Sequence, residues 1–114
     1  EQRYPDAVIA EDSFASLQEH LSRVHPSRYR QMIKDVDVLA LHNVETMTNQ
    51  ATALRFVVLA DRLYDKDVPI LASGVPFDQL FTQEMMEGGY QKKYFRAVSR
   101  LTSLVREGQG VAAR

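Results

Sequence analysis

The chain has 114 residues, enough for one domain with a modest core. Its formal charge of −1 gives no global attraction to nucleic acid or to an anionic membrane surface. It has no cysteine, which excludes a disulfide frame and thiolate chemistry, and no apolar run approaches the roughly 20 residues that span a bilayer. Apolar content of 45% and charged content of 25% are ordinary for a globular protein, and the expected location is the cytoplasm. No signal peptide is visible, and the first residue is Glu1 rather than Met, so the sequence reads as a piece of something longer.

The first element is a short buried strand around Ala7–Ala10, apolar between polar ends. Asp12 or Ser13 can cap the helix that follows, with Phe14, Leu17, Leu21 and Val24 on one stripe. Pro26 ends it or opens the next turn. "SRYRQMIKD" is a second short helix with Tyr29 and Met32–Ile33 inward. "VDVLALHNV" reads as a strand covered on both faces, because Val38–Leu41 is wholly apolar.

Thr48 or Asn49 then caps a helix from Gln50 to about Asp65. It is apolar around most of its girth, with Thr52, Arg55, Arg62 and Lys66 as its polar strip, so it should be sandwiched. "VPILAS" is the next strand, started by Pro69. A helix between two buried strands predicts a parallel, right-handed crossover. Gly74 and Pro76 make a turn, and "FDQLF" is a helical turn running toward Met86. Gly88 and Gly89 break the chain before a last helix from Tyr90 to about Arg106. Its apolar stripe is Tyr90, Tyr94, Ala97–Val98, Leu101 and Leu104–Val105, with Lys92, Lys93, Arg96 and Arg100 mainly on the other side. The division is one α/β domain over 1–107 and a flexible tail over 108–114. The predicted fold is α/β, a small three-stranded and mostly parallel sheet with flanking helices. Such a sheet is small for an open α/β fold, so it should extend or cover a larger one.

The phosphate-gripping signature GxxxxGK[ST] does not occur in these residues. "EGGYQKK" puts two glycines at a helix N-terminus, where an anion can bind, or where the pair is a plain hinge or cap. "VLALHNVET" resembles the layout of a magnesium-holding strand but ends in His42 and Asn43 rather than carboxylates, with Glu45 beyond. Ser73 ends the neighbouring strand, where such folds place a polar sensor. Arg96 and Arg100, one turn apart, make a positive row with Lys92 or Lys93. Like charges at that spacing repel, so an anion would explain them; so would a solvated face near a helix C-terminus. Asp61 and Asp65 sit beside Arg62 and Lys66, which points to ion pairs rather than acid/base work. His20, His25 and His42 lack metal-ligand spacing, and no nucleophile, base and orienter can be named together. Tyrosines and arginines are too scattered for a nucleic-acid stripe, and no nucleic-acid partner is expected.

"NQATALRFVVLADRLYDKDVPILASG" followed by "KKYFRAVSRL" resembles the carboxy-terminal part of the ZapE-like cell-division ATPases, AAA+ proteins of bacteria with mitochondrial relatives. The family's Arg-Phe pair looks like Arg55 and Phe56, and its Asp and Tyr-Asp look like Asp61, Tyr64 and Asp65. Its strand-ending Ser looks like Ser73, and its Arg and Ser-Arg-Leu look like Arg96, Ser99, Arg100 and Leu101. Phe14 and Leu17 match an upstream Phe-x-x-Leu, so the likeness runs from Phe14 to Leu104. Leu54 stands where the family has a second arginine, Thr102-Ser103-Leu104 replaces its usual continuation, and "EMMEGGYQKKY" is long. These departures imply a branch, expected to be actinobacterial.

The resemblance implies the carboxy-terminal module of an ATP-hydrolysing P-loop protein. Its phosphate loop and magnesium acids would lie in an amino-terminal core outside this sequence. ATP and Mg would then belong to the full-length parent, with none bound here. The implied partners are the rest of its own ATPase domain, other copies in a homo-oligomer, and a division-site protein. Arg96, Arg100 and Arg55, in that order, are the implied nucleotide-sensing arginines, with Arg100 equally able to anchor to Asp61 or Asp65. The alternative is a protein-interaction domain with no nucleotide contact.

Overall fold

The computed structural model describes the backbone of residues 8–113 and the side chains of residues 8–110. In chain order the elements are β1 (Ile9–Ser13), α1 (Phe14–Ser22), α2 (Tyr29–Met32), β2 (Val38–Val44), α3 (Gln50–Lys66), β3 (Ile70–Gly74), α4 (Gln83–Glu87) and α5 (Gln91–Ala113). Turns of 3-10 helix lie at Pro26–Arg28 and Phe77–Gln79. The strands form one sheet in the order β1-β2-β3, all parallel. The class is α/β, a three-stranded parallel sheet with flanking helices, as the alternation of buried runs and helical periods predicts.

Caps set the two long N-terminal boundaries. Ser13, not Asp12, caps α1 by accepting from the Ser16 amide at 3.1 Å. Asn49 caps α3 by accepting from the Thr52 amide at 3.0 Å. Asn49→Ala leaves that amide without its partner and should cost about 1 kcal/mol in urea unfolding, whereas Asn49→Asp should cost nothing measurable.

Phe14, Leu17 and Leu21 of α1 pack on the sheet with Phe56, Leu59 and Leu63 of α3, and Phe14 meets Phe56 edge-on at 5.4 Å. Tyr29 is fully buried, and its hydroxyl donates to the Leu21 carbonyl at 2.9 Å. On its other side α3 meets α5 through Tyr94, Ala97, Leu101 and Leu104, so the expected sandwiching of α3 is by helices. At the carboxyl end of β2 the register shifts between Leu41 and Val44, and Asn43 takes a φ of 61°. Gly74 pairs with Val44 at a φ of 103°; a Cβ there would overlap the Val44 main chain, so the position admits glycine alone.

Four boundaries differ from the sequence reading. The first strand is Ile9–Ser13 rather than Ala7–Ala10, and Ala7 lies outside the described residues. It is an edge strand with Ile9 exposed, because only β2 pairs with it. "FDQLF" does not continue to Met86: a parallel bridge between Met47 and Phe81 pulls the chain straight, and Thr82 caps α4 afresh. The last helix does not stop near Arg106, and residues 108–113 are helical rather than a tail.

The physical reason for the last difference is Gly108. It is buried against the main chain of Ile70. The Leu39 amide bonds to the Pro69 carbonyl, so the Ile70 peptide groups face away from β2, along the sheet's edge. α5 therefore lies along the open edge of β3, and a missing side chain is what lets it come so close. One residue earlier, Glu107 meets Asp67, the left-handed residue that ends α3. Sharing a hydrogen bond with the Asp67 carboxyl, chiefly, raises the Glu107 carboxyl above its ordinary value. The folded state thus holds that proton more tightly than the unfolded chain, and stability falls as pH rises through the carboxylate range. Glu107→Gln should raise Tm slightly at pH 7 and not at pH 3, a small effect because the group is exposed.

Candidate functional site

The three arginines marked in the sequence do not converge. Arg100 of α5 reaches across to α3, where its Nη1 donates to Asp61 Oδ1 at 2.6 Å. Its guanidinium carbon lies 4.9 Å from the centroid of the Tyr64 ring. Asp61 and Tyr64 are three residues apart on α3 and so share a face, which holds the planar cation between a carboxylate and a π cloud. The pair is 30% and 18% exposed at its side chains, sheltered enough for the charge-assisted bond to matter.

Arg96 stands one turn nearer the start of α5. It is exposed and forms no ion pair among the described residues. Phe95 beside it is 56% exposed, the most exposed large apolar side chain among the described residues. Arg55 lies on a different face of α3, beside the buried Tyr29. Burial pushes the Tyr29 hydroxyl above its ordinary pKa, and the Arg55 charge pulls it partly back. Asp65 pairs with Arg62 at 3.7 Å, not with Arg100.

In parallel sheets ligands collect outside the carboxyl ends of the strands. Here those ends carry Glu11, His42, Asn43 and Ser73. His42 Nε2 and Glu11 Oε2 are 2.6 Å apart, and the Asn43 amide donates to Ser73 Oγ at 3.0 Å. Magnesium demands octahedral oxygen ligands, usually carboxylates with water. Glu11 is engaged by an imidazole, and Asp12 accepts from the Ser13 amide at 2.9 Å. With Glu45 just past β2, these carboxylates do not gather into one ligand set, so the edge does not fit a magnesium ion. Among the described residues no three His, Cys, Asp or Glu side chains cluster as a metal site would need. The glycine pair is used as a joint: the Gly88 amide closes α4 on the Met85 carbonyl, and its carbonyl accepts from the Gln91 amide of α5.

A family model described as AFG1-like ATPase matches residues 3–110. The chain belongs to the AFG1-like ATPase family. No curated protein and no solved structure matches the chain. Membership of the AFG1-like ATPases carries nucleotide and magnesium dependence for the parent protein. Among the described residues no helix is long and apolar enough to cross a membrane. Five of the motif residues have structural roles in or beside the core. Phe56 and Leu101 are core, whereas Asp61, Tyr64 and Arg100 make the α3–α5 clamp.

Sequence reasoning missed two arrangements. Glu11 and His42 are 31 residues apart, and only the register Ser13↔His42 puts them on one face of neighbouring strands. Arg30 and Lys34 carry no signal of their own, because a four-residue helix shows little periodicity; they face Arg62 and Lys66 across a groove.

Proposed function

We propose that this chain is the carboxy-terminal module of a ZapE-type AAA+ ATPase of bacterial cell division, from an actinobacterial branch. The phosphate loop and magnesium acids come from residues outside it. Its role is to present Arg96 to the phosphates of a nucleotide, held in its own ATPase domain or by a neighbouring copy. The observation that carries this reading is the contrast between two arginines one turn apart. Arg100 is spent on Asp61 and fixes α5 against α3. Arg96, on the helix so fixed, is exposed and without an ion pair among the described residues.

A guanidinium held ready on a rigid helix can stabilise charge that develops on a transferring phosphoryl group. In this assignment Arg100 is a positioning residue and Arg55 a distant third, because its face of α3 carries Tyr29 instead. The test is steady-state ATP hydrolysis by the intact ATPase carrying Arg96→Ala, beside the same protein carrying Arg100→Ala. Hydrolysis unchanged by Arg96→Ala would move α5 to partner binding without nucleotide contact.

A further inference from the structure

A groove of about 810 Å³ runs between α3 and the segment formed by the Pro26–Arg28 turn and α2. Arg30 and Lys34 line one wall and Arg62 and Lys66 the other. Arg62 and Lys66 repeat a like charge one turn on along α3, and Lys34 lies in the turn that follows α2, four residues after Arg30. Asp65 is the one carboxylate in the lining, which leaves an excess of three positive charges on a chain whose net charge is −1.

The cations have donors to spare. Arg62 meets Asp65 only at 3.7 Å, and its Nε is buried with no protein acceptor. Lys66 gives one N–H to the Val36 carbonyl at 2.8 Å and keeps its charge. Arg30 and Lys34 are exposed and form no ion pair among the described residues. Between the walls the floor is aliphatic, made by Pro26, Ile33 and Val58. No aromatic ring lines the groove, so it offers nothing for a base to stack on.

We propose that this groove docks an acidic peptide segment of a partner protein. An aliphatic side chain of the peptide seats on Ile33 and Val58, and its carboxylates meet the cationic walls. Charge complementarity selects the peptide's sign, and the aliphatic floor selects a protein segment over a nucleic acid. The surface is remote from Arg96 in sequence and does not depend on the nucleotide reading.

The test is fluorescence anisotropy with a short labelled peptide of glutamates around one central leucine, titrated with the full chain. Arg30→Glu with Lys34→Glu should weaken binding by about tenfold or more, as expected when cross-interface charge pairs are reversed. Lys92→Glu with Lys93→Glu changes the net charge equally, outside the groove, and should leave affinity within about twofold. Exchanging the leucine for serine should also weaken binding, and an oligonucleotide of equal charge should bind less well. Thermal melts of both double variants report their folding, and all four positions are exposed. The proposal is overturned if the peptide does not bind, if both double variants lose affinity equally, if serine serves as well as leucine, or if the oligonucleotide binds more tightly.

Discussion

Arg96→Ala should lower kcat for ATP hydrolysis by a factor of about 10³ in the intact ATPase while leaving Tm where it was. The rate effect is that of removing a cation from developing phosphoryl charge. The absence of a stability effect follows from the exposure of Arg96 and its lack of an ion pair among the described residues. Arg100→Ala should behave in the opposite way. It strips the Asp61 carboxylate of its donor and the Tyr64 ring of its cation. A charge-assisted hydrogen bond of this kind is worth about 1.5–3 kcal/mol, which for a domain of this size is roughly 10 °C in Tm. The lost Tm should be partly restored by Asp61→Asn in the same chain, which removes the stranded charge. Equal losses of rate from both alanine variants, with both folds intact, would make the two arginines one functional pair and dissolve the division of labour.

Gly108→Val should destabilise the domain by roughly 3 kcal/mol, or about 15 °C, because the added side chain enters the Ile70 main chain and cannot be relieved by a rotamer. The strand cannot yield, since Ile70 is held by its pairing with Leu39. α5 must therefore lift, and Leu101 and Leu104 are drawn out of the core with it. Two residues on, Gly110 has no described atom within 4 Å of a built Cβ. Gly110→Ala should raise stability by up to about 1 kcal/mol, the ordinary gain of alanine over glycine inside a helix. Differential scanning calorimetry of the two variants gives the signs directly. A stable Gly108→Val protein would mean that the helix ends before residue 108.

The parts of the fold legible in the sequence are those fixed by local rules. Asn49 before an apolar period of 3.6 marks the start of α3, and the continuous apolar run of Val38–Leu41 marks a strand inside a parallel sheet. The parts that are not legible depend on tertiary partners. Gly108 and Gly110 read as helix breakers because their cost is local; the compensation for Gly108 lies 38 residues away in Ile70. Arg100 has a choice of two acids one turn apart, and sequence alone cannot rank them. The stacking ring of Tyr64 decides for Asp61, while Asp65 turns to Arg62. The motif groups Arg55 with Arg100, yet six residues of helix separate Arg55 from Asp61, which rotates the two onto different faces.

The position of α5 along β3 has a consequence for how the chain is made. The outer peptide groups of β3 are covered by α5, a helix that is synthesised after it. Until residue 108 has left the ribosome, the nascent chain carries an unpaired strand edge next to an apolar α3. In that interval it is a template for any neighbouring strand. A chaperone that shields emerging chains, or a slow stretch of translation downstream, would find its strongest effect in this window.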